Sequence, residues 1–449
     1  MARKIQYRAV SFEQANPDAL ANALSGARKL VVAIDVAKTK MMAGFAREDG
    51  AVVRLVKWTS PLETRAFVEL VMQTARLLDV REIEALMEPT GTYGDPLRAL
   101  LLAHGAQVFM LSPKRVHDAA EVFDGVPSMH DAKACVVIAR LHHQGVSKPY
   151  VEPSPLRVRM RALVEQRELY RVPMQFYLSR LESLLARHWP EALQDVDVWR
   201  NKTPLALLAR YPGPADMHEH ADEVLQNIHR LGHRCLMAPQ AQRMLDCAQR
   251  SVGVGLEDET RRLIQLTATE ALHMRNALDD IDDRIEQLSK EHEATSNIAT
   301  TVGKVTAVVL VAHLGPLTDY TSAAALEKAC GLNLKMRSSG NYLGRLSITK
   351  RGSPVVRHYL YLAALRLIRN DHRVAAWFRE RAGFRAGHKL VAVVAVMRKL
   401  IRALWHVARG TPFDSSKLID ERALPGNTAT TASMTSHDAA ALHELSAVL

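Results

Sequence analysis

The sequence is poor in aromatic residues and in cysteine. Phe, Tyr and Trp make up 5% of its 449 residues, and the four cysteines lie far apart without a CxxC pair. This spacing excludes a disulfide-stapled fold and a thiolate metal site, and it favours a reducing, cytoplasmic compartment. The chain is nevertheless long enough to bury a sizeable core.

Long hydrophobic runs are also missing. The longest, at residues 305–314 and 390–397, fall well short of the roughly 20 apolar residues that a membrane-spanning helix needs. The basic residues near the N-terminus are not followed by the apolar stretch of an export signal. We therefore expect neither a membrane partner nor export.

Acidic charge is scarce relative to basic charge. Lys and Arg number 59 against 48 Asp and Glu, and between residues 335 and 409 there are 17 basic residues against two acidic ones. This excess favours nucleic acid over an acidic membrane surface as the partner. Residues 411–449 reverse the balance, are rich in Thr, Ser and Ala, and are predicted to be a flexible tail.

Hydrophobic periodicity predicts an α/β domain over residues 29–150, after an irregular lead-in at 1–28. The runs KLVVAID, MMAGFARE and VVRLVKW predict three strands joined by tight hairpins. Helical and extended patterns then alternate: helix 62–78, strand IEALMEP, helix 96–104, strand AQVFMLSP, and helices 114–123 and 131–144. This order predicts an RNase H-like fold, although a generic α/β domain shares it.

Residues 151–295 are predicted to form a helical connector. Two apolar series, at 156–184 and 264–288, show the alternating four- and three-residue steps of heptads, with Arg167 at a seam position of the first. We expect a coiled coil, either an antiparallel hairpin or a dimer, with an ordinary helical bundle as the alternative. Residues 296–410 then form a basic, mainly helical C-terminal domain.

Three acidic residues are candidates for catalysis and metal binding. Asp35 closes the first strand, Glu88 follows the fourth, and Asp131 lies near the start of a helix. Open α/β sheets bind ligands at the carboxyl ends of their strands, and Mg²⁺ pairs that promote phosphoryl transfer prefer carboxylate oxygens. Each acid alone also fits a helix cap or a solvated group.

The order of these acids, followed by the run IARL, resembles the DEDD-type insertion-sequence transposases, the family of Piv-like DNA invertases and bridge-RNA-guided recombinases. That family has an Asp in the first strand, a Glu in the fourth, and two Asp spaced D-x-x-D on a helix. Asp35, Glu88 and Asp131 match, but Ala134 stands where the fourth acid belongs. The resemblance implies a RuvC-like domain that binds Mg²⁺, with Asp124 as a possible substitute ligand or an inactive site as the alternative.

A second motif, CGLNLKMRSSGNYLGRLSITKRGSPVVRHYLYLAAL, resembles the serine transposase domain of the same family. The matching residues are Gly331, Ser339, Gly340, Gly344, Ile348, Thr349, Lys350, Gly352 and Arg357. In the family the Ser before Gly joins covalently to a DNA phosphate, which implies that Ser339 is the nucleophile, with Ser338 as the alternative. A loop that only binds phosphate would carry the same pattern.

Basic residues around this serine are predicted to bind nucleic acid. They are Arg337, Arg345, Lys350, Arg351 and Arg357. Upstream, the segment IATTVGK resembles the family's PGIG-like turn, which implies phosphate contacts at Gly303 and Lys304. Thr301 replaces the first glycine of that turn, so helix packing is an equal alternative.

Over roughly residues 29–410 the resemblance implies a DNA transposase or recombinase. It would act on donor and target DNA through a metal-assisted serine, guided by a structured RNA, as a homodimer or homotetramer. Two alternatives stay open. One is a metal-dependent nuclease of the junction-resolving type that uses water, and the other is a catalytically silent nucleic-acid-binding scaffold.

Overall fold

The computed structural model describes residues 7–419, except for 90, 227–237, 337, 340, 341, 344, 345 and 384–387. For residues 226, 338, 339, 342, 343 and 388 it describes the backbone alone. The chain divides into two compact units, with the boundary after Glu152. Within the described residues, no helix is long and apolar enough to cross a membrane.

The N-terminal unit contains a mixed sheet and flanking helices. Its strands are β1 (Ala9–Ser11), β2 (Lys29–Asp35), β3 (Lys40–Ala46), β4 (Val52–Thr59), β5 (Glu82–Met87), β6 (Gln107–Met110) and β7 (Lys148–Pro149). Its helices are α1 (Pro17–Ala23), α2 (Thr64–Leu77), α3 (Asp95–Ala103), α4 (Pro113–Asp118) and α5 (Asp131–His143).

The described strands of this unit form one sheet in the order β1-β4-β3-β2-β5-β6-β7. Strands β2, β3 and β4 are antiparallel neighbours, whereas β5 pairs in parallel with β2 and β6 in parallel with β5. The three hairpin strands and the two later strands predicted from periodicity are therefore confirmed. The structure shows a mixed α/β N-terminal unit.

Two predictions for this unit are wrong. The described part of the lead-in, residues 7–28, is not irregular, because β1 pairs with β4 and α1 packs on α2 through the buried Leu20 and Leu24. Asn16 begins α1 by accepting a hydrogen bond from the backbone N–H of Asp18. Helix α4 ends at Asp118, five residues before the predicted end.

The alternation of side chains along the central strands creates a core on each face of the sheet. Leu30, Val32 and Ile34 of β2 belong to the cluster that includes side chains of α1, α2 and α3. Val31 and Ala33 belong to the cluster that includes side chains of α4 and α5. Helix α5 therefore covers the face opposite to α2.

The second unit is mostly helical. Its helices are α6 (Pro155–His188), α7 (Pro190–Asp195), α8 (Lys202–Arg210), α9 (Pro214–Glu219), α10 (Ala221–Gln226), α11 (Ala238–Gln249), α12 (Asp258–Glu291), α13 (Glu293–Val302), α14 (Lys304–Leu314), α15 (Ala323–Ala329), α16 (Pro354–Asn370), α17 (His372–Ala382) and α18 (His388–Val407). Its short strands are β8 (Leu334–Lys335), β9 (Ser338–Ser339), β10 (Tyr342–Leu343) and β11 (Ser347–Ile348).

Helices α6 and α12, of 34 residues each, pack against one another in antiparallel orientation. One end of this pair shares a core with α13–α18, and the other end shares a core with α7–α11. Arg167 at the predicted seam position donates to both carboxylate oxygens of Asp282, at 2.7 and 3.1 Å, and to the Tyr359 hydroxyl at 2.7 Å. This polar joint links α6, α12 and α16 where the heptad pattern is interrupted.

The beginning of the predicted tail is part of the folded unit. Leu418 and Ile419 are buried in the core that contains α13–α18. The Lys399 ammonium donates to the Leu418 carbonyl at 2.7 Å. Residues 411–419 therefore belong to the fold, while residues 420–449 lie outside the described part of the chain.

Candidate functional site

Asp35 and Glu88 lie at the carboxyl ends of two neighbouring parallel strands. Ile34 of β2 pairs with Met87 of β5, so the two acids follow at the same level of the sheet. Side chains alternate between the two faces along a strand, so both acids are on the same face as Val31, which packs in the cluster with α5. The sequence prediction that they share one edge is consistent with this pairing.

Asp131 is the first residue of α5, which packs on β2 and β3. The preceding His130 begins the helix, since its ring Nδ1 accepts a hydrogen bond from the Lys133 backbone N–H at 3.3 Å. This places the Asp131 carboxylate beside the end of β2. We call Asp35, Glu88 and Asp131 the acidic edge.

Burial and mutual repulsion raise two carboxyl pKa values at the acidic edge. Desolvation, with the charge of Asp131 as a second cause, raises the pKa of Asp35 to about 6. Desolvation, with the charge of Asp35 as a second cause, raises the pKa of Glu88 to about 7. The Asp35 carboxylate is thus the electrostatic neighbour of both other acids.

The residues of the acidic edge suit a divalent cation by their chemistry. Three carboxylates offer hard oxygen ligands, and no ion pair to Lys or Arg neutralises them within the described residues. A bound cation would favour the ionised form of each group and remove the repulsion between them. In the described part of the chain, however, no three His, Cys, Asp or Glu side chains are close enough to form a ready-made ligand set.

The position where the family has its fourth acid is occupied by a buried alanine, Ala134. The neighbouring Lys133 is almost completely buried at 2% exposure. The Lys133 ammonium donates to Asp124 at 2.8 Å and to the Val126 carbonyl at 2.5 Å. The hydrogen bond from Lys133 holds the pKa of Asp124 at about 2, so Asp124 is ionised and paired with a lysine in this structure.

Sequence reasoning missed the position of Cys135. This buried thiol lies near Asp35 and Asp131 and donates to the Met42 carbonyl at 3.4 Å. Burial, together with the charge of Asp35, raises its pKa far above the usual range. Without a bound metal ion the thiol therefore stays protonated. The position of Cys135 beside the acids could not be predicted from the sequence, because cysteine is common on apolar helix faces for packing alone.

Ser339 lies next to the tip of a β-hairpin. Strands β9 and β10 are antiparallel, with Ser339 opposite Tyr342. Strands β8 and β11, which flank them along the chain, form a second antiparallel pair with Leu334 opposite Ile348. We call residues 334–348 the serine hairpin. The Ser338 and Ser339 side chains lie outside what the structure describes.

The two legs at the base of the serine hairpin are joined by hydrogen bonds. Thr349 donates to Asn333 twice, from its backbone N–H to the carbonyl at 2.9 Å and from its hydroxyl to the side-chain oxygen at 2.6 Å. The Lys350 N–H donates to the Gly331 carbonyl at 2.9 Å. Gly331 has φ 71°, and a Cβ there would lie 2.6 Å from the Arg351 nitrogen, so the legs meet where only glycine fits.

The acidic edge and the serine hairpin each fall within a transposase family model. A DEDD-type transposase model of IS110 elements matches residues 32–190, and a model described as the transposase IS116/IS110/IS902 family matches residues 299–379. The first range contains the acidic edge and the second contains the serine hairpin. The chain belongs to the IS110 family of transposases.

Two curated relatives resemble parts of this IS110-family chain. The transposase for insertion sequence element IS1111A of Coxiella burnetii is 27% identical over 164 residues, which cover 34% of this chain and 44% of the relative. The pilin gene-inverting protein of Moraxella bovis is 24% identical over 208 residues, which cover 41% of this chain and 62% of the relative. The chain thus spans about half the length of these relatives.

The predicted nucleic-acid contacts of the IS110-family chain divide into three groups. Lys350 and Arg351 are exposed, with Lys350 at φ 54°. Lys304 forms an ion pair with Glu286, and Arg357 donates to backbone carbonyls. Arg337 and Arg345 lie outside the described residues.

Gly303 is in close contact with an arginine. It ends α13 and begins α14 with φ 82°, and a Cβ there would lie 2.8 Å from a guanidinium nitrogen of Arg366. The alternative of helix packing at this turn therefore has a structural basis, since any side chain would displace Arg366.

Proposed function

We propose that this protein is a DNA transposase or recombinase that cleaves and rejoins DNA through a metal-assisted serine nucleophile, guided by a structured RNA. The observation that carries the proposal is the acidic edge, where Asp35 and Glu88 hold unneutralised, partly buried carboxylates at one level of the sheet. Carboxyl groups whose pKa values are raised by burial and by neighbouring charges are typical of functional sites.

We further propose that the N-terminal unit has an RNase H-like, RuvC-like fold. Three antiparallel strands are followed by two that are parallel to the first, and β2 is central. This arrangement supports the proposal, because in such a sheet the strands that correspond to β2 and β5 end side by side. The acids that end β2 and follow β5 then face the same ligand.

The proposed reaction is a phosphoryl transfer to the Ser339 oxygen. That oxygen forms a bond to phosphorus, and the bond from phosphorus to one deoxyribose oxygen breaks. The proton lost by the serine hydroxyl is taken up by the leaving oxygen. A divalent cation at the acidic edge would stabilise the negative charge that develops on the phosphate. The reverse attack by a new DNA hydroxyl restores the hydroxyl of Ser339 and rejoins the strand.

The charge of the second unit supports a nucleic-acid partner. Between residues 335 and 409 there are 17 basic residues against two acidic ones, and exposed members such as Lys350 and Arg351 lie next to the serine hairpin. DNA and guide RNA are both polyanions that such a surface binds. We propose donor DNA, target DNA and a structured RNA as partners of a homodimer or homotetramer.

The proposal predicts a covalent protein–DNA adduct that depends on Ser339. A radiolabelled duplex spanning the DNA that flanks the coding sequence is incubated with the protein, Mg²⁺ and RNA transcribed from the same flanks. A denaturing gel should show labelled protein with the natural chain and none with Ser339→Ala, while DNA affinity stays within about twofold, since one neutral hydroxyl contributes little beside the basic surface.

The same gel separates the alternatives. Free cleaved ends without an adduct would identify a nuclease that uses water, and neither product would identify a silent scaffold. An adduct that persists in Ser339→Ala but disappears in Ser338→Ala would move the nucleophile by one residue. Chelation of Mg²⁺ should abolish the adduct if the acidic edge takes part.

A further inference from the structure

Arg357 contacts the two segments that flank the serine hairpin. Its guanidinium Nη1 donates to the Gly352 carbonyl at 2.9 Å and to the Cys330 carbonyl at 3.5 Å. Cys330 precedes β8 and Gly352 follows β11, so one nitrogen bridges the segment that enters the hairpin and the segment that leaves it. The guanidinium is partly buried, and desolvation lowers its pKa.

The surrounding residues keep this bridge in a single geometry. A Cβ at Gly352 would collide with the Ala329 carbonyl, so the two legs meet without room for a side chain. Arg357 lies in the first turn of α16, whose N-cap Ser353 accepts a hydrogen bond from the Val356 N–H at 3.4 Å. Helix α16 therefore supports Arg357 beside the two segments that flank the serine hairpin.

From this arrangement we infer that Arg357 is a positioning residue for Ser339, and that its charge is used on backbone carbonyls instead of on DNA phosphate. The inference rests on the proposed function, since it assigns to Arg357 the orientation of the proposed nucleophile. It differs from the sequence prediction, in which Arg357 binds nucleic acid.

The length of the hairpin explains why its base matters. Ser339 lies six positions after Asn333, and six positions of chain span at most about 20 Å at roughly 3.3 Å per residue. A tilt of about 5° at the base then moves the serine by almost 2 Å, and a misplacement of about 1 Å costs on the order of 100-fold in rate. Loss of the bridge should therefore slow the reaction without weakening DNA binding.

The test compares Arg357→Met with Arg369→Met, which removes the same charge from an exposed position on the same helix, α16. The probe is the flanking-DNA duplex with Mg²⁺ and RNA. Two quantities are measured: the single-turnover rate of adduct formation at saturating protein, and the dissociation constant as a function of salt. We expect Arg357→Met to slow the adduct by about 10- to 100-fold with an unchanged salt slope, and Arg369→Met to keep the natural rate.

The opposite pattern would overturn the inference. A phosphate contact predicts that Arg357→Met weakens binding and reduces the slope of log affinity against log salt by about one, with a normal rate at saturation. Thr349→Val provides a second variant in case Arg357→Met fails to fold. It removes the hydroxyl bond to Asn333 at the same base, and it should also slow the adduct at unchanged affinity; a normal rate in Thr349→Val counts against the inference.

Ser339→Ala, assayed in parallel, keeps the two proposals distinguishable. An adduct that forms without Ser339 refutes the proposed function. An adduct that requires Ser339 but forms at full rate in Arg357→Met refutes only the role of Arg357.

Discussion

At the residue scale, Asp35 shows how a proposed metal ligand opposes stability. Its pKa is raised to about 6 by burial and by Asp131. Because the folded protein holds this proton more tightly than the unfolded chain, stability falls as pH rises from about 4 through 6. At neutral pH the ionised group therefore works against the fold of the N-terminal unit.

We expect Asp35→Asn to stabilise the N-terminal unit in EDTA at pH 7.5. A shift of about two pKa units corresponds to at most about 3 kcal/mol, and solvent screening reduces this to roughly 1–2 kcal/mol. The thermal midpoint should rise by a few degrees, and the gain should disappear below pH 4, where Asp35 is protonated in both states. Calorimetry across this pH range checks the sign; a loss of stability at pH 7.5 would contradict it.

Some site residues could be predicted from the sequence, and others could not. Asp35 and Glu88 end strands with a clear apolar pattern, so their common edge follows from strand geometry alone. The ion pair of Lys304 with Glu286 and the hydrogen bond from Arg357 to the Gly352 carbonyl form only in the folded chain, and residue spacing does not predict them. Composition reports how many charges a chain carries, but only the fold reports which of them are already paired.

At the element scale, one buried network fixes the three elements that carry the acidic edge. Glu84 of β5 accepts hydrogen bonds from the Lys29 ammonium of β2 at 2.8 Å and is 2.9 Å from the His142 Nε2 of α5. The His142 Nδ1 is 2.6 Å from the Ser147 hydroxyl oxygen. Lys29 begins β2 and His142 lies in the last turn of α5, so the network lies at the opposite ends of these two elements from Asp35 and Asp131.

We expect Glu84→Gln to destabilise the N-terminal unit by about 1–3 kcal/mol, since a neutral amide leaves a half-buried lysine poorly paired. It should also weaken Mg²⁺ binding, because β2, β5 and α5 lose a common partner. The matched control is Glu82→Gln, an exposed position on the same strand. Thermal unfolding and Mg²⁺ titration calorimetry measure both effects, and equal behaviour of the two variants would refute the role of the network.

The elements differ in how visible they are to sequence analysis. Strands β2–β5 have buried, alternating or continuous apolar runs of six to eight residues, and their prediction is confirmed. Strand β1 has three half-buried residues, which is too short for a periodic signal, and it pairs with a strand more than 40 positions away. The heptad series predicted the pairing of α6 with α12, but not that Arg167 would be held by Asp282.

At the scale of the whole molecule, we expect nucleic-acid affinity to fall steeply with salt. Six to ten phosphate contacts would cost roughly 10³- to 10⁵-fold in affinity between 50 and 200 mM salt through counterion release. Filter binding of the flanking duplex at several salt concentrations measures the slope. A flat dependence would show that the basic residues of the second unit are not the main contacts.

A truncation provides the companion measurement. Removing residues 420–449 deletes four acidic residues and one basic residue, so binding should be unchanged or slightly tighter. The cut belongs after Ile419, because Leu418 and Ile419 are buried. A cut after Gly410 would instead remove part of the core and should produce an unstable protein.

The burial of Ile419 also has a consequence for how the protein is made. One core joins Met160, near the start of the second unit, to Ile419. At about 5–20 residues per second, a ribosome needs on the order of ten seconds to a minute to synthesise the chain between them. The N-terminal unit can fold during that interval, whereas the core of the unit with the serine hairpin cannot be completed before Ile419 has been synthesised. A newly made chain can therefore fold its acidic edge well before the proposed nucleophile, Ser339, is in place.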